Sequence, residues 1–425
     1  MKRSENRILT THVGSIVRPP RLRELSGMSM TSPSPENKKE FDDALADSVA
    51  EVVKLQAKAG IDIVNDGEFG KSSWSNYILE RISGFENRPD LKTPFTWLGR
   101  DLDRFPDVME AEFPWRLAGV PADVCVGPIK YTNPAPMQRD IRNLKAALRN
   151  VRVEESFLPV VAPASAIWNG VNEYYPSEKE YIYAIADALR EDYRAIHQAG
   201  FVVQVDDAVL ANMYDHLVQQ SPETYRKWAG LRIEALNHAL QGIPEDRVRY
   251  HVCFGSWHVP HLADAPLEEI LGFILSVRAG AYSIEAANPR HEHEWRVWES
   301  TKLPKGKILI PGVVTHHTIT VEHPRLVADR IVRFAKLLGR ENVIAGTDCG
   351  FAQASFVVRQ QPSVMWAKFE TLAEGARIAS AELWPRKTLK KQKPVARGNG
   401  ARPAASAKRA KASAGRKPAK PSRRR

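Results

Sequence analysis

Apolar residues in this chain fall into two patterns that alternate along most of its length. In one they form short runs, and in the other they recur every three or four positions. The short runs read as strands and the periodic stretches as amphipathic helices. The first strand covers residues 8–15. A helix over about 39–59 follows, with Leu45, Val49, Val52, Val53 and Leu55 on one face and Gly60 as its stop. A second strand covers 61–68. After a gap the alternation resumes, with strands at 158–165, 201–207, 248–254, 281–286, 307–315 and 343–348. Helices separate them, notably at 177–199, 267–279 and 324–338, and a last helix covers about 363–381. Alternating β and α units imply a parallel sheet. About eight such units predict an α/β fold of the closed (β/α)8 kind, a single TIM barrel. No Gly-x-Gly-x-x-Gly follows an early strand, which argues against a dinucleotide-binding sheet.

Residues 85–157 break the repeat. They hold scattered aromatics and prolines, a short strand candidate at 124–131 and a basic helix near 141–150, and read as an inserted arm. Beyond about residue 386 the composition collapses to Lys, Arg, Ala, Pro, Ser and Gly. With almost nothing to bury, residues 386–425 read as a disordered basic tail appended to a barrel domain over 1–385.

That boundary changes the meaning of the net charge, which is +11 for the whole 425-residue chain. Residues 386–425 hold 16 Lys or Arg and no Asp or Glu, so subtracting 16 from +11 leaves residues 1–385 at −5. A mildly acidic body argues against a nucleic-acid-binding core, while the tail alone suits weak, salt-dependent binding to polyanions. No run of about 18 apolar residues predicts membrane insertion, and Met1–Arg7 lack the apolar stretch of a secretory signal. Three cysteines do not make a disulfide framework. A reducing, cytoplasmic setting is the expectation.

Barrels of this kind present their chemistry at the C-terminal ends of the strands. Here those ends carry Ser15, Glu68, Ser165, Asp206, Asp207, His251, Cys253, Glu285, His316, His317 and Cys349. A lone Ser or Asp in such a place is more often a helix cap, but so many polar strand ends together point to a site. His251 and Cys253 stand two apart in a strand and therefore share a face. With Cys349 and Glu285 from other strands they make a plausible first shell for Zn2+, which favours thiolate and imidazole in tetrahedral array. Cys125, in Asp-Val-Cys-Val-Gly, reads as ordinary packing. His291-Glu-His293-Glu lacks the helical spacing of a metalloprotease motif and reads as a polar loop. His258 and His261 can orient ligands or bind substrate. His317, at a strand end, suits a general acid or base.

These pieces carry a resemblance. Thr11-His-Val-Gly-Ser15, Asp66-Gly-Glu68, Gln204-Val-Asp-Asp207, His251-x-Cys253, Ile284-Glu285, Gly312-Val-Val-Thr-His-His317 and Asp348-Cys-Gly350 occur in order across nearly the whole body. In this the chain resembles the C-terminal catalytic barrel of cobalamin-independent methionine synthase. The resemblance implies zinc bound by His251, Cys253, Glu285 and Cys349. It implies that Gly14, Ser15, Glu68 and Asp206 hold the amino-acid part of homocysteine. His317 would be the acid that helps a folate leave as its methyl passes to the thiol. The family's Asp-Glu-Pro is here Asp206-Asp207-Ala208. The stretch from Glu285 to Trp295 looks more like short, single-barrel relatives, among them the epoxyalkane:coenzyme M transferases. A related zinc-dependent alkyltransferase using another thiol or donor is therefore the alternative. Trp168, Trp257 and Trp295 lie near strand ends as candidates to line a donor pocket.

Overall fold

The computed structural model describes the chain as far as Pro385. The exceptions are residues 113–118, Trp257, Gln353, Phe356, Val357 and Arg359, and the side chains of residues 29–31. The expected basic tail therefore lies outside the described residues. In chain order the strands are β1 (Ile63–Val64), β2 (Ile82–Thr93), β3 (Val120–Tyr131), β4 (Glu155–Val161), β5 (Gly170–Asn172), β6 (Val202–Asp207), β7 (Val248–Val252), β8 (Ala281–Ile284), β9 (Ile308–Val314) and β10 (Gly346–Thr347).

Seven of them form one parallel sheet in the order β1-β4-β6-β7-β8-β9-β10. The segment around Thr10 joins its two edges. Thr11 bridges Ile63 on one side and Thr10 bridges Ala345 on the other, both in parallel sense. Eight staves thus close a TIM barrel, as the alternating pattern predicts. The predicted strand at 343–348 keeps backbone bonds at Ile344, Ala345 and Asp348, whereas those at 8–15 and 61–68 pair over fewer residues than expected, because side chains take over part of the ladder. Asp62 Oδ2 accepts the Thr10 N–H, Asn65 Oδ1 that of Gly67 and Asp66 Oδ1 that of Glu68. Asn, Asp and Thr offer such local bonds readily, which frees the backbone to turn toward the barrel mouth.

Inside the barrel one apolar layer gathers Leu9, Ile63, Phe157, Val202, Ala281, Ile308, Ile310 and Ile344. Arg249 of β7 lies across Phe157, its guanidinium 3.6 Å from the ring centroid. It donates to Gln204 Oε1 (2.5 Å), Thr11 Oγ1 (3.0 Å) and the carbonyl of His12. Two and four residues farther along come His251 and Cys253, so the interior changes from apolar to polar toward the strand C-termini. Outside stand the helices Pro35–Lys58, Ala135–Leu148, Glu178–Gln198, Pro222–Ala239, Leu267–Ser276, Pro324–Leu338 and Pro362–Leu383. Ser34, Ser177 and Ser221 cap three of them by accepting an N–H three residues on.

The segment expected as an arm holds elements of two kinds. β2 and β3 pair antiparallel, and β5 joins β3 from outside that segment to make a three-stranded sheet. The helix Ala135–Leu148 instead packs on Pro35–Lys58 as part of the outer ring, and Glu155 already begins β4. Buried Arg81 anchors the base of the hairpin. It donates to Asp192 Oδ2 at 3.0 and 2.7 Å, while Tyr131 donates to Asp192 Oδ1 at 2.6 Å. Among the described residues no helix is long and apolar enough to cross a membrane.

Candidate metal centre

Alternation along β7 aims His251 and Cys253 into the mouth, and the turn after β10 brings Cys349 across from the other side. One imidazole nitrogen and the two sulfurs lie within 4.8 Å of one another. The sulfurs are 3.3 Å apart. Neither ring nitrogen of buried His251 has a nitrogen or oxygen partner, although buried imidazoles ordinarily find one. A buried imidazole with no nitrogen or oxygen partner, facing two thiols, fits a divalent cation such as zinc.

The electrostatics agree. The hydrogen bond from Cys253, helped by His251, brings the Cys349 thiol down to about 5. The same bond pushes Cys253 up, so Cys349 gives up its proton first. Burial alone would lower His251, but its bond to Cys349 and the charge there raise it. The Gly255 N–H points at Cys253 Sγ from 3.3 Å.

Glu285 ends beside this trio but outside the 4.8 Å group. Its Oε1 accepts the Phe254 N–H at 3.1 Å and its Oε2 accepts Asn288 Nδ2 at 2.8 Å. His317 Nε2 stands 3.6 Å from the same Oε2. Burial pushes this carboxyl up, but His317 and His291 pull it below the usual carboxylate range.

A cavity opens over the trio, lined also by Ser15, Glu68, Asp206, Trp74 and Trp97. Three predicted substrate residues therefore meet the three thiol and imidazole groups in one space. Gly14 lies behind them. It has φ +147°, and a Cβ there would sit 2.5 Å from Glu68 Oε1. Glu68 itself is left-handed at φ 59°, a conformation uncommon for a side-chain-bearing residue and frequent at functional sites. Its Oε2 receives Lys71 Nζ at 3.0 Å, and that ammonium also reaches the Pro159 carbonyl at 2.7 Å. Asp206 accepts Gln204 Nε2 at 2.6 Å. Burial first, and then the charge of Glu68, push Asp206 up to about 7.

His317 does not line this cavity. It faces a second hollow with His258, His261, Asp264, Arg290 and His291, beside Glu285 Oε2. His291, expected as part of a polar loop, is buried between Glu294 Oε2 (2.8 Å) and Asp264 Oδ2 (3.0 Å). These carboxylates outweigh burial and raise it to about 10, so it is an imidazolium.

Other strand-end residues are structural. The Ser165 hydroxyl accepts the Ala208 and Val209 N–H groups, and Asp207 accepts Ser165, Tyr250, Val209 and Leu210. Cys125 is buried in β3. Trp168 packs edge-on against Trp97, 5.2 Å between centroids. Trp295 lies against Arg296 and Arg333, and Trp257 falls outside the described residues. Sequence reasoning gave no role to Trp74, Trp97, Lys71 or Asn288, and used Asp348 only within the Asp348-Cys-Gly350 piece of the resemblance. Only Asp348, adjacent to a candidate ligand, carried a signal, in its place beside Cys349.

Residues 133–363 match the family model of the cobalamin-independent synthase catalytic domain. A methionine synthase of Thermococcus kodakarensis is 23% identical over 377 residues, 88% of this chain and 94% of that protein. One from Pyrococcus abyssi is 23% identical over 379 residues, 88% of this chain and 93% of its own length. The structure of a B12-independent methionine synthase from Shewanella sp. W3-18-1 in complex with selenomethionine superposes with a TM-score of 0.68. It is 19% identical and covers 89% of this chain and 99% of that one, which establishes the shared fold. The family match spans more than half of the chain and includes the strand ends that carry Asp206, His251, Cys253, Glu285, His317 and Cys349, so the protein belongs to the cobalamin-independent synthase catalytic-domain family and is a methyltransferase of that type.

Proposed function

We propose that the protein transfers a methyl group from a methyltetrahydrofolate-type donor to the thiol of homocysteine, forming methionine. The observation that carries this reading is the buried His251–Cys253–Cys349 trio opening on a cavity that also holds Ser15, Glu68 and Asp206. His251, Cys253 and Cys349 would hold a zinc ion, with Glu285 near enough to serve as a fourth ligand. A thiol at its ordinary pKa is mostly protonated and a poor nucleophile at neutral pH. Zinc bound there would supply a Lewis acid that lowers the pKa of an incoming thiol, whose proton is released to solvent.

The chain's own residues do the rest. Glu68 and Asp206 present two carboxylates to the ammonium of homocysteine, with Lys71 holding Glu68 in place. The Ser15 side chain and the backbone made accessible by Gly14 receive its carboxylate. Trp74 and Trp97 keep bulk water from the thiol. His317, beside Glu285, protonates the leaving nitrogen of the donor, which would occupy the hollow it faces.

The test is product formation. Purified protein given homocysteine and methyltetrahydrofolate should make methionine, and the gene should rescue a methionine auxotroph. Cys253→Ser and Cys349→Ser should lose zinc and turnover together. Zinc retained with no methionine formed would instead favour transfer to another thiol or from another donor.

A further inference from the structure

Asp348 lies at the end of β10, one residue before Cys349, and is fully buried. Its carboxylate faces the loop after β8 that follows Glu285. Oδ1 accepts the Ala286 and Ala287 N–H groups, each at 2.8 Å, and Oδ2 accepts Asn288 Nδ2 at 3.3 Å. That same Asn288 amide donates to Glu285 Oε2 at 2.8 Å. β8 and β10 are not neighbours in the sheet; β9 separates them. β9 lets the carboxylate pass by carrying Gly312, where a Cβ would collide with Asp348. From the outside Arg330 clamps the same loop, donating to the Ala287 and Val313 carbonyls at 3.0 Å each.

We propose that Asp348 is the positioning residue of the metal cradle, tying the Glu285 loop to the strand end that carries Cys349 so that ligands from two strands keep one spacing. The inference rests on the metal-site reading above. Outer groups that orient metal ligands commonly contribute ten- to a hundred-fold in affinity. Asp348→Ala removes all three bonds. In Asp348→Asn the amide oxygen can still accept the backbone N–H groups, but its NH2 opposes that of Asn288.

The full chain is loaded with zinc and titrated against a chromophoric chelator. Co2+ is then substituted and its absorption recorded, and the metal-free proteins are melted. Asp348→Ala is expected to weaken zinc binding at least about ten-fold and to change the cobalt bands, with Asp348→Asn between it and the parent. Parent-like zinc affinity and cobalt spectra in Asp348→Ala would overturn the proposal. If that variant does not fold, the same two readings on Asp348→Asn decide in the same way. Failure of the parent itself to bind zinc overturns the metal reading and this inference with it. Zinc bound equally by parent and variants overturns this inference alone.

Discussion

Asp206 is costly to the empty fold, because burial and Glu68 raise it from 3.8 to about 7. A carboxyl raised on folding binds more protons in the native than in the unfolded state between those values. Stability therefore falls as pH climbs from about 4 to about 7, and above that the ionised group exerts its full destabilising effect. Asp206→Asn should stabilise the ligand-free protein at pH 8 by about 1 kcal/mol while abolishing homocysteine binding. The stability gain should vanish as pH approaches 4. Denaturant melts at both pH values check this, and lower stability at pH 8 would refute it. Gly14→Ala drives a methyl into Glu68, in a backbone conformation strained for any side chain. It should raise KM for homocysteine and cost about 1–3 kcal/mol in a urea melt. At this scale the sequence disclosed the residues that end strands, because period-two alternation and barrel geometry fix where they point. It did not disclose Trp97, which lines the cavity, or Lys71, which holds Glu68 from behind it; both come from loops that no periodicity governs.

At the scale of elements, the helices were legible because their apolar faces and caps repeat at a fixed spacing; Pro324–Leu338 has the bounds its pattern predicts. The hairpin was legible only in part: the arm and its strand at 124–131, within β3, stood out, but β2 did not. β2 contains Gly84, Asn87, Pro89 and Asp90, is largely exposed, and slips register twice against β3. Such a strand has neither the alternation nor the composition that marks one. Its partner β5 has only three residues. Among the contacts that fix the hairpin to the barrel is the Arg81–Asp192 pair beneath it, with both side chains buried. Arg81→Met leaves buried Asp192 without its counter-charge, held only by Tyr131, and should destabilise the protein by about 3–5 kcal/mol in urea titration. Protein that still folds should keep its full zinc content, since no ligand comes from the hairpin. Loss of zinc without loss of stability would show that the hairpin acts on the metal centre directly.

For the whole molecule, the separation of charge is as telling as the fold. Met1–Pro385 forms one compact unit whose formal charge is −5, and every candidate site residue lies within it. A chain ending at Pro385 should keep zinc and turnover unchanged. Any salt-dependent binding to DNA should disappear with the 16 basic residues removed. Parallel activity and filter-binding assays on the two lengths would check it, and loss of turnover on truncation would mean that the basic segment serves the reaction. We propose that this barrel uses a metal to lower the pKa of a substrate thiol, which loses its proton to solvent on binding. The most direct test is calorimetric titration of the zinc-analysed protein with homocysteine in buffers of different ionisation enthalpy. About one zinc per chain and about one proton released per homocysteine bound at pH 7 are expected. Protein from zinc-replete medium that carries no zinc, or that binds homocysteine without releasing a proton, would contradict it.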